Sequence, residues 1–367
     1  MKISNLKEIS SFLSDKKFNR CFLITGKNSY YKSGADKVFE KIFEEKILYK
    51  YFKKNSIPEF NELKNIIKLI EEFNPDLILA IGGGAVIDYA KSASCLSSSV
   101  EKKEIIESSI KYKKKVKLCA IPTTAGSGAE VTENAVIYLK EIKYSVEDKL
   151  IKPDYYFLIP ELIIDSNFKL KASAGFDAIA QGIESILSVK SNIESSNFSL
   201  KSLDLSFSNF QNFLEKPNFE NTKKMCLAAN LSGKAISIAR TTAPHALSYP
   251  FTSLYNVSHG HAVSLTLSEI IKFNYENMKR AKPNINLKKK YEILFNVSKT
   301  QSIIEFCDYL NHLKKIAKLE GNLKNLNINL DSAYDKILVG VNALRLKNNP
   351  VEISFEEIKK ILNSINR

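Results

Sequence analysis

Asp177 and Gln181, in the stretch FDAIAQGIES, stand four residues apart, so on a helix both side chains project from one face. A carboxylate in that position suits a divalent cation. A neutral amide is a poorer donor to Fe2+ or Zn2+ than imidazole. The chain has only four histidines, His245, His259, His261 and His312, and three of them fall within TTAPHALSYPFTSLYNVSHGHAV. Clustering of so scarce a residue points to a shared site, although each histidine taken singly also suits a hydrogen-bonded structural role.

Two glycine loops offer a different chemistry. In LILAIGGGAVIDYAK an apolar strand ends at Gly82, Gly83 and Gly84, and a helix begins at once. Glycines let backbone N–H groups approach an anion closely, and a helix N-terminus aims unpaired donors at it, so a pyrophosphate fits here. A tight strand-to-helix turn is the plain alternative, because the stretch has neither the GxGxxG spacing nor the GKS or GKT of a P-loop. The second loop, in IPTTAGSGAEVTENAVI, brings the hydroxyls of Thr123, Thr124 and Ser127 beside Gly126 and Gly128. Two such loops at the C-terminal ends of strands are what the ligand crevice of an open α/β sheet requires.

The elements that must position these residues follow from periodicity. Up to about residue 165, the runs CFLIT, LILAIG, VKLCAIP and YYFLI alternate with helical stretches, which predicts strand–helix units and a parallel sheet. Beyond Pro160 helical spacing dominates. The expected organisation is an α/β dinucleotide-binding domain over 1–165 and an all-helical metal and substrate domain over 166–367. Residues 314–331, rich in Lys and Asn, are expected to form a mobile connection.

Composition narrows the function classes. The chain has 367 residues, 44% hydrophobic and 26% charged, ordinary for a globular protein of two domains. No apolar run approaches the roughly 20 residues that span a bilayer, and the N-terminal stretch lacks the pattern of a secretory signal. Five scattered cysteines with no CxxC pair suit free thiols in a reducing cytoplasm. The net charge of +14 is mostly lysine and spread out. Its densest run, KYKKKVK, reads as a solvated edge, and without a basic stripe and interleaved aromatics nucleic acid is not an expected partner. A cytoplasmic homo-oligomer, a dimer, is expected to act on a small molecule.

On these motifs the sequence resembles the iron-containing alcohol dehydrogenases, whose fold is shared with glycerol dehydrogenase and dehydroquinate synthase. GGGAVIDYAK is similar to the family's GGGSxxDxAK, with Ala85 in place of serine, and PTTAGSGAEVT is close to PTTAGTGSEVT. The likeness runs from TGKNS, at Thr25, through the helical half. It implies a nicotinamide dinucleotide whose pyrophosphate rests on Gly83, Gly84 and Ala85, with Asp88 lining the loop and Thr123, Thr124 and Ser127 contacting adenine, ribose or phosphate. Lys143 matches a lysine that reaches the nicotinamide ribose; taken alone, an exposed hairpin lysine is the alternative. Where NAD-preferring members carry an aspartate after the first strand, this chain has Gly26, followed by Lys27. Loss of that carboxylate removes repulsion from a 2′-phosphate, which favours NADPH over NADH.

The resemblance also implies a metal site. Family members carry Asp and His four apart on one helix, then two histidines fourteen residues apart; Asp177, His245 and His259 match, and Gln181 replaces a histidine. Three readings stand: a metal held by Asp177, His245 and His259 with Gln181 as a weak or water-mediated fourth ligand, a site that polarises by hydrogen bonds alone, or a protein that has lost activity. Tyr249 stands where another family histidine is common, so Tyr249, His261 or water is expected to deliver the proton. The implied reaction is hydride transfer between the nicotinamide and a carbonyl carbon. Motif detail looks more like the phosphonoacetaldehyde reductase branch, which implies reduction of phosphonoacetaldehyde to 2-hydroxyethylphosphonate, with Arg240, Thr241 and Thr242 as candidate partners of the anion. For Arg240 a helix-end surface charge is the alternative. A dehydroquinate-synthase-like or sugar-phosphate enzyme and a non-catalytic nucleotide-binding protein are the rival readings.

Overall fold

A computed structural model describes residues 6–14, 18–44, 46–140, 142–283 and 285–366. The chain divides into two compact units, Met1–Ser166 with Asn218–Cys226, and Asn167–Pro217 with Leu227–Arg367.

The first unit contains β1 (Arg20–Gly26), β2 (Ile47–Lys53), β3 (Leu77–Gly82), β4 (Lys117–Pro122), β5 (Asn134–Leu139), β6 (Ile142–Glu147) and β7 (Tyr155–Tyr156). Five of these form a parallel sheet in the order β2-β1-β3-β4-β7. Successive residues of its central strands enter opposite cores. Phe22, Ile24, Ile78, Ala80 and Leu118 pack with Leu63, Ile67 and Val86 on one face. Cys21, Leu23, Leu79, Ile81 and Cys119 pack with Ile9, Leu13 and Phe39 on the other. Burial of both faces explains why these strands read as continuous apolar runs rather than alternating ones.

Register sets the site. Thr25 lies opposite Ile81 and Gly82 opposite Pro122, so the loops after β1, β3 and β4 leave the sheet at one edge. Three strands were not legible. β2 is a half-exposed edge whose Lys50 and Lys53 interrupt its apolar pattern, a common way of blunting an edge. β5 and β6 form a separate antiparallel hairpin. YYFLI contributes only Tyr155 and Tyr156 to the ladder; Leu158 and Ile159 are buried beyond it. The basic run is held by carboxylates, with Lys114 and Lys117 both on Asp154 and Lys115 on Glu71.

The second unit is helical, and among the described residues no ladder strand follows β7. Its central helix, Phe168–Leu187, is capped by Asn167, whose side chain accepts from the Leu170 N–H at 2.8 Å, and it is buried on nearly all sides. The helices Ala243–Tyr255 and His259–Glu276 close a core containing Leu247, Phe251, Leu265, Ile270, Ile337 and Ile358. Residues 314–331 are not the expected mobile connection: Leu319, Leu323 and Ile328 are buried, so the segment is packed into the unit. All five cysteines are free and buried. No helix among the described residues is long and apolar enough to cross a membrane.

Candidate functional site

Three helices of the second unit bring the sequence-predicted ligands together. Asp177 comes from Phe168–Leu187, His245 from the first turn of Ala243–Tyr255, and His259 is the first residue of His259–Glu276. One ligand atom from each lies within 4.8 Å of the others. Asp177 Oδ1 is 3.2 Å from His245 Nε2 and 4.0 Å from His259 Nε2. The imidazoles meet edge to face, with ring centroids 5.3 Å apart. Two imidazole nitrogens converging with one carboxylate oxygen fit Fe2+ or Zn2+, and three protein ligands leave a position for substrate, as catalytic metal sites require.

The approach of the two helices depends on Gly260. A Cβ there would fall 1.9 Å from the Ser173 carbonyl oxygen and 2.9 Å from Asp177 Cβ. Only a residue without a side chain allows the backbone beside His259 to reach the Asp177 helix.

Glu184, two turns along from Asp177, is a residue of this cluster that the motifs did not disclose. Its Oε1 accepts from the Thr242 N–H at 2.9 Å, the Thr242 hydroxyl at 3.0 Å and the His245 N–H at 3.3 Å. It thereby satisfies donors at the N-terminus of the His245 helix that the helix itself cannot. Its Oε2 pairs with His245 Nδ1. That bond fixes the ring and turns Nε2 toward Asp177, the arrangement by which a carboxylate orients a metal-binding histidine. Burial alone would push the His245 imidazolium down, but Glu184 and Asp177 outweigh it and lift the pKa to about 10. The available signal was Glu184 at seven residues from Asp177, on the same helical face.

Gln181 is buried next to Asp177. Its Nε2 donates to Asp177 Oδ2 at 3.1 Å, and its Oε1 accepts from the Ser232 hydroxyl at 3.0 Å. Tyr249, one turn beyond His245, lies with its ring inclined 29° to that of His259 at 6.1 Å. His261 faces elsewhere: its Nε2 bonds the Glu320 carbonyl at 2.7 Å and its N–H donates to Ser173, which ties segment 314–331 to the helix. Burial holds the His261 imidazolium below its ordinary pKa. Thr242 spends both its N–H and its hydroxyl on Glu184, not on an open space. Arg240 ends its helix in the left-handed region, φ 64°, and is half-buried. His312 is exposed.

In the first unit the two glycine loops interlock. Gly83 caps the helix Gly84–Ala93, in which Ala85 is the second residue. The Thr123 N–H donates to the Gly82 carbonyl at 3.0 Å. A Cβ on Gly84 would lie 3.1 Å from Ser127 Oγ, and one on Gly83 would lie 3.5 Å from the Thr124 methyl. Lys91, inside the quoted motif but not singled out, is fully buried; its ammonium donates to the Ala129 carbonyl, the Thr132 hydroxyl and the Asn134 carbonyl, fastening the second loop to this helix. Asp88 is lifted to about 6 by burial, against the pull of Lys91, the Val136 N–H and Lys143. Lys143, opposite Tyr138 in the β5–β6 hairpin, is thus near Asp88 and half-buried. Gly26 caps the helix after β1 and pairs with Lys53 of β2.

Comparison with known proteins assigns both units. Residues 2–160 match the family model described as iron-containing alcohol dehydrogenase, and residues 171–366 the model described as Fe-containing alcohol dehydrogenase family, C-terminal. The 4-hydroxybutyrate dehydrogenase of Clostridium kluyveri is 30% identical over 339 residues, 89% of this chain and 86% of that protein. The phosphonoacetaldehyde reductase of Streptomyces viridochromogenes is 30% identical over 221 residues, 57% of this chain and 56% of that protein. Among solved structures, the sulfoacetaldehyde reductase of Bifidobacterium kashiwanohense, crystallised with NAD+, superposes with a TM-score of 0.87 at 22% identity, over 100% of this chain and 96% of that one.

Proposed function

This chain belongs to the iron-containing alcohol dehydrogenase family, and from that premise we propose that it reduces a small anionic aldehyde with NADPH or NADH, in a reaction that needs a divalent metal. The observation that carries the reading is the convergence of Asp177, His245 and His259 in a chain that retains both glycine loops. Asp177, His245 and His259 would hold Fe2+ or Zn2+, which when bound supplies a Lewis acid for the carbonyl oxygen. Glu184 keeps the His245 ring aimed at the site. Tyr249, whose ring lies beside that of His259, would hold a proton for the developing alkoxide.

The first unit would supply the reductant. Backbone N–H groups of Gly84 and Ala85, at a helix N-terminus, suit the dinucleotide pyrophosphate, while Thr123, Thr124 and Ser127 line the adjoining loop and Lys143 serves the ribose. Gly26 offers no carboxylate to repel a 2′-phosphate, which favours NADPH.

For the substrate, phosphonoacetaldehyde is the specific proposal. Two 30%-identical relatives are named for substrates with an anionic end, 4-hydroxybutyrate and phosphonoacetaldehyde. Arg240, next to the Thr241–Thr242 pair that leads into the His245 helix, is the candidate partner of the phosphonate. The test is oxidation of NADPH and NADH with phosphonoacetaldehyde, succinate semialdehyde and propanal, with Fe2+, Zn2+ or chelator. Faster turnover of the anionic aldehydes, abolished by chelation and selectively weakened in Arg240→Ala, is expected. A rate untouched by chelator would reject the metal, and equal rates for propanal would reject the anionic substrate.

A further inference from the structure

We infer that Gln181 is not a metal ligand but the hydrogen-bond donor that aims Asp177, held in that role by Ser232, so that among the described residues three are offered to a cation: Asp177, His245 and His259. The inference rests on the metal-dependent reading above.

An ionised carboxylate accepts hydrogen bonds and donates none. Asp177 Oδ2 is 3.1 Å from the nitrogen of the Gln181 amide. Turned over, the amide would place its oxygen at that distance from another acceptor, with no proton between them and little water to soften the repulsion, because both residues are buried. In the observed orientation the amide oxygen instead faces Ser232 Oγ at 3.0 Å. The hydroxyl proton of Ser232 is shared with the Ala229 carbonyl of its own helix, 2.9 Å away. Ser232 therefore stands fixed on its own helix and presents a donor to the one atom of Gln181 that a metal would need.

The two oxygens of Asp177 are divided in consequence. Oδ1 faces His245 and His259, and Oδ2 faces the amide. A charge-assisted bond to Oδ2 keeps the carboxylate from rotating and directs a single oxygen at the site. Gln181 and Ser232 are positioning residues by this account. The cation gives up one protein ligand and keeps one more place for water or a substrate oxygen.

The test uses the full chain and Zn2+ alone. A crystal structure of the Zn2+-loaded wild-type protein should show Gln181 Oε1 beyond about 3 Å from the ion, against about 2.0–2.2 Å for a coordinated oxygen. Calorimetric titration of metal-free protein should give binding about tenfold weaker in Gln181→Ala, a smaller loss in Ser232→Ala, and tighter binding in Gln181→His. An amide oxygen at bonding distance, or a Ser232→Ala affinity equal to that of wild type, overturns the inference while leaving the metal reading intact. No Zn2+ uptake by the wild-type protein overturns both.

Discussion

The glycines of the two units do opposite things. At Gly83 an added methyl group would meet nothing nearer than the Thr124 side chain at 3.5 Å, whereas at Gly260 it would lie 1.9 Å from a backbone oxygen. The first glycine leaves room, as a backbone that must admit a ligand does. The second uses its room up, letting two helices touch so that Asp177 and His259 converge. The proposed dinucleotide site is therefore built from backbone at a sheet edge, the proposed metal site from side chains on helices that must first be packed.

The comparison predicts that the helical site fails through its side chains and its packing. Asp177→Ala removes the carboxylate of the proposed metal site, and a fall on the order of a thousandfold in kcat/KM with loss of bound metal is expected, because Lewis-acid stabilisation is worth several kcal/mol. Steady-state kinetics with metal analysis check it. Gly260→Ala should act through the fold: the clash is with a carbonyl rather than a flexible chain end, so a stability loss of about 3 kcal/mol or more is expected in urea denaturation, with weaker metal binding as its companion. A variant of wild-type stability would show that the helices tolerate separation.

Glu184→Gln sharpens the same side of the comparison. Glutamine keeps the shape but has one acceptor where Glu184 uses two, so either the helix N-terminus loses its acceptor or His245 Nδ1 meets an N–H donor and the ring proton moves to Nε2, the atom that faces Asp177. Metal affinity should drop about 10- to 100-fold. Unchanged affinity would mean that His245 is oriented by packing alone.

What could be read beforehand divides along the same line. The sheet edge was legible because a backbone site leaves its mark in consecutive residues: GGG, then TTAGSG, each directly after an apolar run. Asp177, His245 and His259 were legible because a family pattern marks them. Glu184 and Ser232 were not, since they act across helices and nothing in their local sequence separates them from any other helical Glu or Ser. His261 misled for the converse reason. It adjoins a ligand in sequence, yet a helix turns about 100° per residue, so a position two residues on faces away. Strand β2 was missed because an edge strand needs only one partner and carries lysines that a central strand would not.

The backbone site should break differently. In Gly83→Ala the contact with Thr124 is an ordinary one, so stability should stay within about 0.5 kcal/mol of wild type, whereas dinucleotide affinity should fall about tenfold if the pyrophosphate uses the space. Fluorescence titration with NADPH measures this, and unaltered affinity would move the pyrophosphate away from Gly83.

Asp88 gives a test by pH. Burial raises its pKa from 3.8 to about 6, so its proton is held more tightly in the folded chain than in the unfolded one. The stability this contributes is complete below pH 3.8 and is lost as pH rises through about 6, leaving a half-buried anion that weighs on the fold at neutral pH. Asp88→Asn can still accept the Val136 N–H but carries no charge. Relative to wild type it should gain about 1–2 kcal/mol between pH 4 and 7, less than the full rise from 3.8 to about 6 would give because the half-buried carboxylate is screened by water, with the difference constant above that range. A difference flat across the whole range would mean that Lys91 and Lys143 already neutralise the carboxylate. A pyrophosphate bound at this helix N-terminus, as proposed, would bring further negative charge and raise the Asp88 pKa again. Dinucleotide affinity should therefore weaken as pH rises past 6 in the wild-type protein and not in the variant.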